Sequence, residues 1–124
     1  MNVVDSSGWL EYLAGGPNAR FFAPAIELPS ELVVPTLSLF EVFKRVLQQR
    51  DETAALRAIA LMQQGTVVDL TNLIALSAAK LSVKLRLPMA DSIMLASAKA
   101  YDAVFWTQDA HFEGIDAVRY TNAR

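Results

Sequence analysis

Asn2-Val3-Val4-Asp5-Ser6-Ser7-Gly8-Trp9-Leu10 is the stretch whose reading decides the fold. A short apolar run reaches Asp5 at once. Ser6 or Ser7 then caps a segment carrying Trp9, Leu10 and Leu13 at helical spacing. Strand, acid, capped helix is the repeating unit of an α/β domain with a parallel sheet. Gly15-Gly16-Pro17 stops that helix, and a second short helix holds Phe21 and Phe22.

The alternation continues along the chain. Leu32-Val33-Val34 reads as a strand ended by Pro35, and a helix from Thr36 or Ser38 runs to about Gln49. Asp51 to Gln64 is a further helix closed by Gly65, and Thr66-Val67-Val68 reads as a buried strand. Thr71 caps a helix to about Arg86, broken by Leu87-Pro88. Ala90 to Tyr101 is the next, with Ala90, Ile93, Met94, Ser97 and Ala98 as its packing face. Ala103 to Trp106 is a fourth strand and Ala117 to Tyr120 an edge strand. The pattern predicts a three-layer α/β/α sandwich with a mainly parallel sheet of about five strands, in a single domain spanning residues 1–124.

Composition narrows the function. The chain has 124 residues, is 53% hydrophobic, carries net charge -2, and contains no cysteine and one histidine. No run approaches the roughly 20 apolar residues of a membrane span, and no basic, signal-like start precedes Asp5. The expectation is a cytoplasmic protein without a membrane partner. Thiolate and multi-histidine metal sites are excluded within one chain, so a metal here should be hard and oxygen-liganded, Mg2+ or Mn2+. The charge balance argues against nucleic-acid binding through bulk positive charge, but leaves room for a local basic strip. The apolar surplus points to a covering partner or second copy.

Four acids stand out. Asp5 and Asp109 each follow an apolar run, while Glu41 and Asp91 interrupt helix-like apolar segments, where a charge is costly without a partner or a wet site. Ligands of open parallel sheets bind beyond the carboxyl ends of strands, where helices also begin, so all four can converge. Read singly, Asp5 and Asp109 are also ordinary strand-end turn residues, and Asp91 an ordinary helix-start acid. Converged, their repulsion calls for a divalent cation.

Val-Val-Asp5-Ser-Ser, Glu41 in Ser-Leu-Phe-Glu-Val, Leu-Pro-Met-Ala-Asp91-Ser-Ile and Thr107-Gln-Asp109-Ala-His-Phe112 occur in that order over the whole chain. Together they resemble the successive motifs of PIN-domain ribonucleases, and more narrowly VapC-type toxins of toxin–antitoxin pairs. The first motif departs mildly, with Asp-Ser-Ser where Asp-Thr-Ser is frequent. The resemblance implies a Mg2+- or Mn2+-dependent endoribonuclease with Asp5, Glu41, Asp91 and Asp109 as catalytic, metal-holding residues. Asp5 and Asp91 would be direct ligands, and Ser6 and Thr107 would orient carboxylates or water. It also implies an RNA substrate, a cognate VapB-like antitoxin and a homodimer. A groove for the antitoxin would draw on Trp9, Leu13, Phe43 and Leu47, for which core packing is the alternative.

Lys44 and Arg86 are the candidates for contacting RNA phosphates, with a solvated face as the plain alternative. His111 reads as a surface side chain rather than a general base, since metal-activated water needs no histidine. Phe112 reads as a core plug. Asp69 reads as a turn or helix-start acid. It would be the phosphoacceptor if the chain were a receiver-type signalling domain, although Ser6-Ser7 replaces the second acid such a domain carries. An inactive PIN-like binding module is the third reading, opposed by the intact acids.

Overall fold

Strand β1 (Asn2–Val4) runs directly into helix α1 (Ser6–Leu13), with only Asp5 between them. The computed structural model describes all of residues 1–124. After α1 come α2 (Ala19–Ile26), β2 (Val33–Pro35), α3 (Thr36–Gln49), α4 (Glu52–Met62) and β3 (Thr66–Val68). Then follow α5 (Asn72–Leu85), α6 (Met89–Ala100), β4 (Val104–Thr107), a 3-10 turn at Ala110–Phe112, and β5 (Val118–Tyr120).

All strand pairs are parallel: β1 with β4, β4 with β5, and β2 with β3. A single bridge from Asn2 to Leu32 joins the two groups, giving the order β3-β2-β1-β4-β5. The chain builds outward from β1 to β3, then returns to the other side of β1 for β4. The point where strand order reverses therefore lies between β1 and β4.

Alternation along the strands splits the core. Val4, Val34 and Trp106 face one side, packing with Trp9, Phe22, Ile26, Val42 and Met62 from α1 to α4. Val3, Val33 and Phe105 face the other, packing with Met94, Leu95 and Ala98 of α6 and with Phe112. Successive side chains of a strand point to opposite faces, so inner strands that are apolar at consecutive positions must be covered twice. The result is the α/β/α sandwich predicted. Helix α5 rests outside α6 through Ile74, Ala78 and Ala96. No helix is long and apolar enough to cross a membrane.

Several local expectations change. Asp5, not Ser6 or Ser7, caps α1: its Oδ1 accepts the Ser6 N–H at 2.8 Å. With no linker between strand and helix, the acid is the residue within reach of the free N–H groups. Helix α3 starts after Pro35 with no side-chain cap, so neither Thr36 nor Ser38 caps it. Strand β3 is not buried. It lies at the sheet's end, and only Val68 is shielded. On α6 the buried set is Ser92 and Met94 through Ala98, with Ala90 and Ile93 of the expected face only partly buried, because α5 covers the side turned away from the sheet. Gly8 sets how closely α1 approaches: a Cβ there would lie 2.6 Å from the Phe22 ring and 2.9 Å from Val4.

Candidate active site

Asp5 leaves β1 and Thr107 ends β4, so the switch point brings them side by side although 102 positions separate them. Asp5 is 7% exposed, and Thr107 and Ser38 are fully buried. The Thr107 hydroxyl donates to Asp5 Oδ2 at 2.8 Å and accepts the Asp109 N–H at 2.9 Å. One hydroxyl thus ties two of the acids together. Ser7 Oγ adds a longer contact to Asp5 Oδ2 at 3.4 Å. Ser6 Oγ donates to Glu41 Oε1 at 2.7 Å and lies 3.5 Å from Ser38 Oγ. Ser38 Oγ in turn lies 3.5 Å from Met94 Sδ.

The other acids gather on the wet side. Asp91, in the first turn of α6, and Asp109, capping the 3-10 turn, meet at His111. His111 Nδ1 is 2.9 Å from Asp91 Oδ2 and 3.4 Å from Asp109 Oδ1. One donor atom from each of the three lies within 4.8 Å of the others. Asp5 and Glu41 stand outside that triplet. Asp5 is nevertheless close enough for Asp91 and Asp109 to raise its pKa, while Glu41 is held by Ser6.

Burial pushes the Asp5 carboxyl up to about 7. The Thr107 and Ser6 hydrogen bonds oppose the rise, and the charges of Asp91 and Asp109 add to it. Burial likewise raises Asp91, against the bond from His111 and with the charge of Asp109. The bond to Asp91 and the charge of Asp109 raise His111. Clustered negative charge is thus only partly answered by protein groups. Carboxylate oxygens with one imidazole form a donor set suited to a divalent cation, and the surplus charge is what such an ion offsets.

The expected rim and groove change shape. Lys44 and Glu41 line one trough with Phe40, Arg45 and Gln48, and Lys44 Nζ stands 5.7 Å from the Phe40 ring centroid. Arg86 is exposed in a left-handed turn (φ 56) after α5 and makes no ion pair. Trp9, at 1% exposure, belongs to the core and not to a groove, because its side of α1 faces the sheet. Leu13 lines a hollow of about 260 Å³ between α1, α3 and α4. Phe43 and Leu47 line another of about 410 Å³ with Leu39, Phe40 and Ile59. Asp69 is exposed beyond edge strand β3, two strands from β1, and takes no part in the cluster.

Sequence alone did not give the roles of three polar residues. Buried Ser38 lies beneath Ser6. His111 joins the acids. Buried Asn18 donates to Gln108 Oε1 at 2.9 Å and to the Asn122 carbonyl at 2.8 Å, bracing the segment that carries Asp109. Only His111 had a signal, its place inside the last motif; Asn18 looks like any turn residue after Gly-Gly-Pro.

The model of the PIN domain family matches residues 3–118. No curated protein sequence matches the chain. Among solved structures, a toxin–antitoxin complex from Klebsiella pneumoniae is similar, with a TM-score of 0.82 at 18% identity over 96% of each chain. VapC20 of Mycobacterium tuberculosis, described as a Sarcin-Ricin-loop-cleaving toxin, has a TM-score of 0.76 at 18% identity, covering 94% of this chain and 95% of that one. VapBC2 of Rickettsia felis, bound to a fragment of its promoter DNA, has a TM-score of 0.74 at 12% identity, over 98% and 97% of the two chains. At these identities the likeness is one of fold.

Proposed function

This chain belongs to the PIN-domain family, and from that premise we propose that it is a metal-dependent endoribonuclease toxin of the VapC type. The observation that carries the reading is the gathering of Asp91, Asp109 and His111 at the reversal of strand order, with Asp5 near enough to feel both acids and its carboxyl pushed up to about 7. Carboxylates kept this close without a protein cation in contact with Asp5 are poised for one from outside.

Asp91 and Asp109, both half-buried, would hold Mg2+ or Mn2+ at the mouth of the site. Asp5 would add charge from below, and Glu41 would complete the set from α3. When bound, the ion supplies positive charge that activates water and neutralises the phosphate oxygens during hydrolysis. Thr107 fixes the Asp5 carboxylate and the start of the Asp109 turn, and Ser6 fixes Glu41. Lys44 and Arg45, along the Glu41 trough, would meet the phosphates of RNA, as would Arg86 near the start of α6.

Similarity to toxin–antitoxin complexes supports a cognate VapB-like antitoxin as partner. The hollows holding Leu13, Phe43 and Leu47 would take its apolar side chains. A homodimer would cover the apolar residues that α5 leaves in water, Leu73, Leu76 and Val83. The single-domain, cytoplasmic assignment forms part of the same proposal.

The test is incubation of purified protein with total RNA in Mg2+ or Mn2+, with EDTA and an Asp91→Asn variant alongside. Cleavage should require the ion and vanish in the variant. Undiminished cleavage in EDTA would overturn the reading, and so would full activity of Asp91→Asn.

A further inference from the structure

The chain's only histidine could have faced water, since 59% of its side chain is exposed, yet it bridges two acids. Its backbone is pinned. Asp109 Oδ1 accepts the His111 N–H at 2.9 Å, and Thr107 Oγ1 holds the Asp109 N–H. One residue on, Phe112 is fully buried, its ring 4.8 Å from that of Phe105. The short turn between strand end and core plug therefore delivers the imidazole to the mouth of the site.

Building on the reading above, we propose that His111 is itself a metal ligand. Its Nδ1 completes a one-histidine, two-carboxylate set with Asp91 and Asp109 that favours Mn2+ over Mg2+.

The two separations made by Nδ1 fit coordination. Ligand atoms about 2.1 Å from an ion and at right angles to one another lie about 3 Å apart. Nδ1 stands 2.9 Å from the Asp91 oxygen and 3.4 Å from the Asp109 oxygen. Three donors from a half-buried pair and an exposed ring leave the outward side of an ion open to water and phosphate. The donor chemistry then sets the preference. Mg2+ is a hard ion that keeps oxygen ligands and waters, whereas imidazole nitrogen binds first-row transition ions well. The oxygen-only site expected from composition becomes a mixed nitrogen–oxygen site.

A competing role uses the same contacts. His111 could serve as a stand-in cation that holds the acids together until an ion displaces it. The two roles predict opposite effects of removal. In the full-length protein, Mn2+ and Mg2+ affinities are measured by calorimetry for wild type, His111→Ala and His111→Gln. Bound Mn2+ is then probed by pulsed electron paramagnetic resonance for coupling to 14N.

A ligand role gives a nitrogen coupling in wild type that is absent from both variants. It also gives a fall in Mn2+ affinity of at least about tenfold, since even outer-shell partners of a metal commonly cost that much. Mg2+ affinity should move far less. Bound Mn2+ without nitrogen coupling, or Mn2+ affinity that rises in His111→Ala, overturns the ligand role alone. Failure of wild type to bind Mn2+ at all overturns it together with the nuclease reading. Matching melting curves in EDTA establish that the variants are folded.

Discussion

The site has a dry half and a wet half built from the same residue type. Asp5 sits at the floor, enclosed, and receives hydrogen bonds from Ser6 N and Thr107 Oγ1. Asp91 and Asp109 sit at the mouth, share an exposed imidazole and are only half-buried. Position in the fold, not chemistry, separates them. A carboxylate emerging from a central strand is caught between two packed layers, whereas one at a helix start or a terminal turn is not. The floor acid carries the strain of burial, and the mouth acids have the freedom to exchange ligands.

Replacing Asp5 by Asn should produce the largest effect and should split two properties that usually move together. RNA cleavage should fall by about a thousandfold, the scale seen when one charge-stabilising group is lost from an active site. Stability in EDTA at neutral pH should rise, because a buried charge disfavoured there is gone. Initial cleavage rates and urea midpoints measure the two. A loss of both would mean that the floor is structural.

Next in size is the pH dependence of the metal-free protein. An Asp side chain titrates near 3.9 when unfolded, and Asp5 near 7 when folded. Between those values the unfolded chain binds fewer protons, so stability falls as pH rises. The contribution is complete below about pH 4 and lost through about pH 7, on the order of a few kcal/mol in all. The raised values of Asp91 and His111 act in the same direction. Urea midpoints in EDTA at pH 5 and pH 8 should differ clearly in wild type and much less in Asp5→Asn. Adding Mg2+ or Mn2+ should stabilise most at pH 8, by about 2.7 kcal/mol at a hundredfold excess over Kd.

Thr107→Val should cost about 1–3 kcal/mol, the usual penalty when a buried hydrogen-bonding group loses its partner. It removes the contact that favours charged Asp5, so the pH at which stability is lost should move upward. The smallest effect belongs to the mouth. His111→Gln should lower the melting temperature in EDTA only slightly, because the ring contributes no core contact and its pairing with Asp91 is exposed. A marked drop would erase the distinction between the halves.

Much of this was legible along the chain, for a physical reason. Val3-Val4 and Phe105-Trp106 are apolar at consecutive positions, which only a sheet covered on both faces requires, and each run is followed within a few residues by an acid. Strand ends and helix starts are local features, so Asp5, Asp91 and Asp109 could be assigned to one edge of the sheet. What stayed hidden depends on partners distant in sequence. Thr66-Val67-Val68 has the composition of an inner strand, and only the order of assembly leaves it at the margin. Trp9 and Leu13 are one helical turn apart, yet one meets the sheet and the other water. Ser38 reads as a cap until Ser6 is seen above it, and His111 as a surface residue until Asp91 comes alongside.

The bond between Asp5 and Thr107 closes a loop of 102 positions. Translation delivers the amino end first, at roughly 5–20 residues each second. Asp5 is therefore made well before the Thr107 hydroxyl that holds it. The cluster forms only after the Thr107–His111 segment has left the ribosome. Strand order alone therefore keeps the acids apart until β4 and the turn after it have been made.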